Sequence, residues 1–273
     1  MDNGIHLDLP EEEYHADTGS ISKTGLWTLI NRTPAHYRHA PIRARKPALD
    51  KGSAVHLCIL EPNLAAERVI LGPKDRRGNK WKEAIEAAPD NAYDLPQRDY
   101  DDVMSMAEVV RQHPIIKKLN STTIMYESSA FWTDEKTGLQ VRCRPDAFAP
   151  DVAIMADLKS TGDASHWNWS RTAANMGYHV QEAAYTEGWG LAGGDPVDAF
   201  VFICVETDAP FCTVVYEMDP AAVAEGSAVF HLALQRYKEC LGKDEWPGYS
   251  TSVVPIDIPS YSYRETDSPQ VTS

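Results

Sequence analysis

An apolar stretch that ends in an acid and a lysine sets the first constraint on this chain. Val152-Ala153-Ile154-Met155-Ala156-Asp157-Leu158-Lys159 has the period of an extended strand. Val152, Ile154, Ala156 and Leu158 then share one face, and Asp157 and Lys159 share the other. Pro145-Asp146 reads as part of the preceding strand, on which Arg142, Arg144 and Asp146 share a face. Ala149-Pro150-Asp151 turns the chain between the two strands. Two carboxylates and an ammonium can thus meet at one point. Carboxylates are hard oxygen ligands for Mg²⁺. A lysine beside them can orient a water or stabilise negative charge developing on a phosphate. An Asp-x-Lys at a strand end is also how a plain solvated ion pair reads, so the rest of the chain has to decide.

The chain has 273 residues, enough to bury a substantial core. Its 43% hydrophobic and 24% charged content is that of a soluble globular protein. Met1-Asp2-Asn3-Gly4 carries neither a basic segment nor an apolar run, so no secretory leader is expected. The longest apolar run, Ala199 to Val205, is too short to span a bilayer. The five cysteines form no Cys-x-x-Cys pair and sit in apolar contexts, which fits buried, reduced thiols in a cytoplasmic protein. A net charge of -14 argues against a generic nucleic-acid coat. It does not exclude a nuclease, because a basic channel can lie inside an acidic exterior.

Repeats and long low-complexity tracts are absent. Residues 1–19 read as a lead-in arm. Ser22 to Ile30 reads as a capped helix ended by Thr33-Pro34. A basic patch follows, from His36 through Arg38, His39, Arg43, Arg45 and Lys46. Leu49 to Leu60 is a helix, 73–79 a polar basic loop, and 80–119 a set of helices broken near Pro89, Pro96 and Pro114. Tyr126 to Thr133 and Leu139 to Phe148 form a strand pair across Asp134–Gly138. After the Lys159 strand come a helix over 170–191, strands over 198–206 and 211–218, and a closing helix over 220–241. The predicted fold is α/β, a central mixed sheet flanked by helices. One domain covers 1–241, with a helical N-terminal part. A tail covers 242–273, and its last ten residues are expected to be disordered.

Further residues keep company with Asp146, Asp157 and Lys159. His56 lies within an apolar helix, where a satisfied core histidine is the plain alternative. Glu127 opens a strand, where an edge-strand surface acid is the alternative. Gln181 and Tyr185 are four apart and share a helical face. Ser20-Ile21-Ser22-Lys23 precedes a helix, where Ser22 also reads as an ordinary cap.

Taken in order, Gly-x-x-x-His (52–56), Glu127, Pro145-Asp146, Asp157-x-Lys159 and Gln181-x-x-x-Tyr185 resemble the RecB-type branch of the PD-(D/E)xK nuclease superfamily. The blocks Ile21-Ser22-Lys23-Thr24-Gly25-Leu26 … Thr33-Pro34-Ala35-His36-Tyr37 and Tyr178 to Tyr185 look most like RecE-type phage and prophage exonucleases (exodeoxyribonuclease VIII). The resemblance spans about residues 5 to 240. Asp157 stands where many superfamily members have Glu, and RecE-type members also use Asp. The resemblance implies a PD-(D/E)xK nuclease core and digestion of double-stranded DNA from the 5′ end, leaving a 3′ single strand. It also implies a ring, here of three or four subunits, and action beside a RecT-type single-strand annealing protein. Under it, His56, Glu127, Asp146, Asp157 and the Leu158 carbonyl would bind Mg²⁺, with Mn²⁺ able to substitute. Lys159 would position the water, and Gln181 and Tyr185 would contact the scissile strand or orient Lys159. Arg142 and Arg144 would bind phosphate, and Ser22, Lys23, Arg38 and the 43–46 patch would grip the DNA end.

Two alternatives stand beside this. One is another nuclease of the superfamily, CRISPR-associated or with an iron–sulfur cluster. The cluster needs three cysteines near the C-terminus, where only Cys240 lies. The other is a DNA-end-binding protein that kept the fold and lost catalysis, for which three intact site residues would be superfluous.

Overall fold

The computed structural model describes residues 1–41, 47–89 and 92–262, so Arg43, Arg45 and Lys46 lie outside the described residues. The expected lead-in arm is built into the fold. Gly4–His6 (β1) and Glu11–Ala16 (α1) precede Ile21–Ser22 (β2), Lys23–Asn31 (α2) and Pro34–Arg38 (α3). Ser22 Oγ accepts the Gly25 N–H at 3.4 Å, so Ser22 is the N-cap of α2. Pro47–Leu60 (α4) and Pro62–Arg68 (α5) each open on proline, whose missing N–H costs nothing in a first turn. Next come Val69–Leu71 (β3), Asn79–Ala87 (α6), Tyr93–Leu95 (β4), Gln97–Gln112 (α7) and Pro114–Leu119 (α8). β3 and β4 pair in parallel. Helices alone were expected over 80–119. Three-residue strands carry too little alternation to register as a pattern.

The strand pair expected over 126–148 is present, but both strands break. The first splits into Met125–Tyr126 (β5) and Ser129–Thr133 (β6), and the second into Gln140–Cys143 (β7) and Ala147–Ala149 (β8). The outer halves join a sheet of order β1-β6-β7-β2. The inner halves join a second sheet that is completed by Ile154–Thr161 (β9), Ala199–Glu206 (β10) and Thr213–Glu217 (β11), in the order β11-β10-β9-β8-β5. That sheet is mixed: β10 is parallel to β9, and the other neighbours are antiparallel. His166–Met176 (α9), Tyr178–Leu191 (α10) and Pro220–Lys243 (α11) complete the regular structure of the described residues apart from short 3₁₀ turns.

The period-2 reading of β9 holds from Ile154 onward. Ala156 and Leu158 enter one core with Val55 of α4 and Val103 and Met106 of α7. Met155 enters the other with Phe148, Phe202, Trp189 and Phe230. Burying each such large side chain is worth about 1.5–3 kcal/mol. Residues 150–152 form a 3₁₀ turn, so Val152 lies outside the strand. Cys58, Cys143, Cys204 and Cys240 are buried free thiols, as expected, but Cys212 is exposed. Among the described residues, no helix is long and apolar enough to cross a membrane.

One helix was expected over 170–191. Two form, because Gly177 takes a left-handed conformation (φ 65°) between α9 and α10. The Trp27 ring lies 2.6 Å from where a Cβ would sit there. α10 also packs closely on α11: a Cβ on Gly226 would lie 2.2 Å from the His179 carbonyl oxygen, a backbone atom that cannot rotate away. Gly226→Ala is therefore expected to destabilise the protein by about 1–3 kcal/mol in denaturant unfolding, despite the better helix propensity of alanine.

Arg142 and Arg144 hold the N-terminal segment in place rather than facing a common phosphate. The strand that carries Arg142 ends at Cys143, so neither Arg144 nor Asp146 lies on it. The Arg142 Nη1 donates to Asp17 Oδ2 at 2.7 Å and to Ser20 Oγ at 3.1 Å. The Arg144 Nη2 donates to the Leu9 carbonyl and its Nε to Ser129 Oγ, both at 2.8 Å. Both guanidiniums lie over the Tyr14 ring, at 5.0 and 4.3 Å. Arg142→Ala leaves the half-buried Asp17 carboxylate short of its charged partner, so it is expected to cost about 1–3 kcal/mol of stability. A thermal melt checks this, and unchanged stability would return Arg142 to the free surface cations.

Candidate active site

The two broken strands place two carboxylates side by side. Pro145 interrupts the ladder on one strand, and Glu127 takes a left-handed backbone conformation (φ 46°) on the other. Their backbones still meet there: the Glu127 N–H donates to the Asp146 carbonyl at 3.1 Å. Asp146 therefore sits at the bend between sheets, where its side chain is not bound to either pleat. Its Oδ2 accepts the Leu158 N–H at 2.6 Å and lies 3.4 Å from His56 Nδ1. Leu158 thus reaches the site through its amide. His56 comes from α4, on the side of the sheet that buries Ala156 and Leu158.

One potential ligand atom from each of His56, Glu127 and Asp146 falls within a 4.8 Å group. Two carboxylate oxygens suit a hard divalent cation, and the imidazole nitrogen beside them widens the set to borderline ions. The electrostatics point the same way. Burial, then the charge of Asp146, pushes the Glu127 carboxyl up to about 9. Burial, then Asp157, pushes Asp146 up to about 6, against the opposing pull of His56, Lys159 and the Leu158 N–H. Two acids that repel one another in a desolvated corner are relieved by a cation. The group opens on a cavity of about 670 Å³ between α4 and residues 7–11, lined also by Glu61, Arg68 and Ser160.

Asp157 and Lys159 lie on the opposite face of β9. They form an ion pair, and Gln181 Nε2 donates to the other Asp157 oxygen. Asp157 is only 2% exposed. Asp157 thus stands outside the three-residue ligand group, although it was expected among the ligands: its oxygens face Lys159 and Gln181. It is still close enough to repel Asp146. Burial alone would weaken the Lys159 ammonium, but Asp157 and then Asp146 outweigh it and raise its pKa. Tyr185 packs edge-on against Phe200 with ring centres 6.4 Å apart, and burial followed by Tyr14 and Asp157 raises its hydroxyl well above the ordinary range.

Lys23 was expected to grip DNA. It is 7% exposed and donates to the Met176 carbonyl at 2.7 Å, while Ser22 is taken up in capping α2. Burial, then the charge of Lys159, pushes Lys23 down to about 7. A residue not anticipated from the sequence is Tyr178. Its ring lies 4.8 Å from Lys159 Nζ and 5.5 Å from Lys23 Nζ, and it stacks on Trp169. Tyr178 precedes Gln181 by three residues and so shares its side of α10. That spacing was the available signal, and it is also what a buried aromatic shows.

No curated protein matches the chain. An exonuclease candidate from Eubacterium rectale has a similar structure, with a TM-score of 0.61, 15% identity, and 92% of this chain and 96% of that one covered. At that identity the likeness concerns the fold. A phage-related exonuclease from Haemophilus somnus 129PT is also similar at 12% identity, over 83% of this chain and 96% of that one, but with a TM-score of only 0.36. The PDDEXK-like domain of unknown function (DUF3799) matches residues 31–254. That span contains His56, Glu127, Asp146, Asp157, Lys159 and Gln181, and the chain belongs to this family of PDDEXK-like domains.

Proposed function

We propose that the protein is a metal-dependent exodeoxyribonuclease that shortens double-stranded DNA from its 5′ ends and leaves 3′ single strands for a RecT-type annealing protein. The observation that carries the nuclease reading is the meeting of Asp146, Asp157 and Lys159 in one buried corner, with His56 and Glu127 beside Asp146. Polarity, DNA ends and the annealing partner rest on the resemblance of the sequence to RecE-type enzymes. Mg²⁺, held by His56, Glu127 and Asp146, would polarise a phosphate oxygen and acidify a water. Asp157 keeps Lys159 charged and aimed, and Gln181 fixes the Asp157 carboxylate. The Lys159 ammonium can then orient a water or stabilise charge on the phosphate. Arg144 reaches the rim of the cavity while anchored to Leu9.

A ring of three or four subunits belongs to the same proposal. Arg38, Lys74, Arg76 and Arg77 are the described basic residues such a ring would turn inward; Arg76 pairs with Asp99 at 3.0 Å and Arg38 lies over Trp246 at 5.4 Å, which leaves Lys74 and Arg77 as the stronger candidates. Phosphate binding by such a lining makes affinity fall steeply with salt.

Digestion of linear duplexes labelled separately at each end tests this. Mg²⁺ or Mn²⁺ is expected to support release from the 5′ ends, and Ca²⁺ to support binding without turnover. Asp157→Asn and Lys159→Ala should each lower cleavage by about 10²-fold or more while remaining folded. Near wild-type digestion by either folded variant removes that residue from the mechanism, and full activity in excess chelator defeats the metal assignment.

The site also sets a pH dependence. Glu127 and Asp146 have folded pKa values of about 9 and about 6, above their ordinary values of 4.5 and 3.8. An acid raised by folding favours the fold while protonated. That contribution is complete below about pH 4 and is lost as pH rises through 6 and on towards 9. In chelator, the melting temperature should decline across this window, and Glu127→Gln should flatten its upper part. The stabilisation by Mg²⁺ should be larger at pH 8.5 than at pH 5.5, because the cation replaces protons. An equal Mg²⁺ effect at both pH values would count against these carboxylates as ligands.

A further inference from the structure

Next to Gln181 on α10, Glu182 faces a different environment. Glu182 is 7% exposed, and its Oε2 has no hydrogen-bond partner among the described residues. It lines a cavity of about 350 Å³ between α10, α11 and the starts and ends of β10 and β11. Three more acids line the same cavity: Glu187, Asp198 and Glu217. No lysine or arginine lines it among the described residues. His231, which pairs with Glu187 at 3.2 Å, is the basic group the structure places against the acids. Burial, then the charge of Glu217, pushes the Glu182 carboxyl up to about 8. A buried carboxyl oxygen without a partner destabilises the fold, so this corner is poor as architecture and suitable as a receptor.

We propose that this cavity is a binding site for a guanidinium group carried on an aliphatic stem. The acids supply charge-assisted acceptors at its floor and rim, and Val197, Phe200 and Val223 supply an apolar wall for the stem. A divalent metal is the competing occupant. Among the described residues, however, a compact set of three metal-ligating atoms forms at His56, Glu127 and Asp146 and not here. A planar five-donor fork bridges more widely spaced carboxylates than a metal ion can. The site is separate from the nuclease corner. Gln181 turns towards Asp157, and Glu182 turns away from it along the same helix.

Agmatine, a guanidinium on a four-carbon stem, is the probe. Thermal melts at pH 8 and fixed ionic strength are expected to show a saturable rise of a few degrees for the wild type. Glu182→Gln should need at least tenfold more agmatine for the same shift. If that variant does not fold, Glu217→Gln at the exposed rim should weaken the response several-fold. Glu127→Gln should keep the full response, and its loss there would place agmatine among the carboxylates of the nuclease corner and overturn the proposal. So would equal responses from wild type and both Glu variants, which is charge screening. A Glu182-dependent response to Mg²⁺ in place of agmatine would make the cavity a metal site instead. Acetyl-arginine amide separates the sources of the group. Binding as strong as that of agmatine assigns the cavity to a protein arginine, and binding of agmatine alone assigns it to a free small cation, each with the guanidinium receptor intact.

Discussion

Two largely desolvated carboxylates held next to each other are the constraint around which this structure is arranged. Glu127 and Asp146 occupy the point where one strand pair leaves the four-stranded sheet and enters the five-stranded one. Regular pleating would send the side chains of successive residues to opposite faces. The left-handed Glu127 and the Pro145 interruption release both residues from that rule. The repulsion that results is partly offset by the Leu158 N–H and by His56, and the remainder is what makes the corner receptive to a cation.

The surrounding elements brace this arrangement from both sides of β9. On one side α4 brings His56 over Ala156 and Leu158. On the other, α10 brings Gln181 to Asp157 and Tyr178 to Lys159, which requires the chain to turn at Gly177 against Trp27. The N-terminal segment closes the cavity because Arg142 and Arg144 tie it down through Asp17, Tyr14 and Leu9. The same helix that serves the Asp157–Lys159 pair turns Glu182 into a second, acidic cavity.

Residue type and strand period put Asp157 and Lys159 on one strand face with Asp146 just upstream, but the same pattern fits a solvated ion pair, and only the company of the other residues pointed to a site. The ordering of His56, Glu127 and Gln181 around them was legible through family resemblance. The roles of Arg142, Arg144, Ser22 and Lys23 were not. A cation's sequence neighbours do not say which distant carboxylate or carbonyl it will meet. Arg142 finds Asp17 and Lys23 finds the Met176 carbonyl only once the chain has folded. The short β3–β4 ribbon and the break between α9 and α10 were missed for a local reason: three-residue strands show no period, and a single glycine inside a helical pattern reads as tolerated.

The sequence by itself determined the α/β class, the two-faced burial of β9 and the identities of the charged groups at its end, since these follow from local period and composition. Tertiary structure decided which carboxylates stand together. The pairing of Glu127 with Asp146 across a sheet switch, the separation of Asp157 into a lysine-bound role, and the isolation of Glu182 all depend on long-range packing. Desolvation and charge repulsion act between groups brought close in space, and separation along the chain does not reveal that proximity.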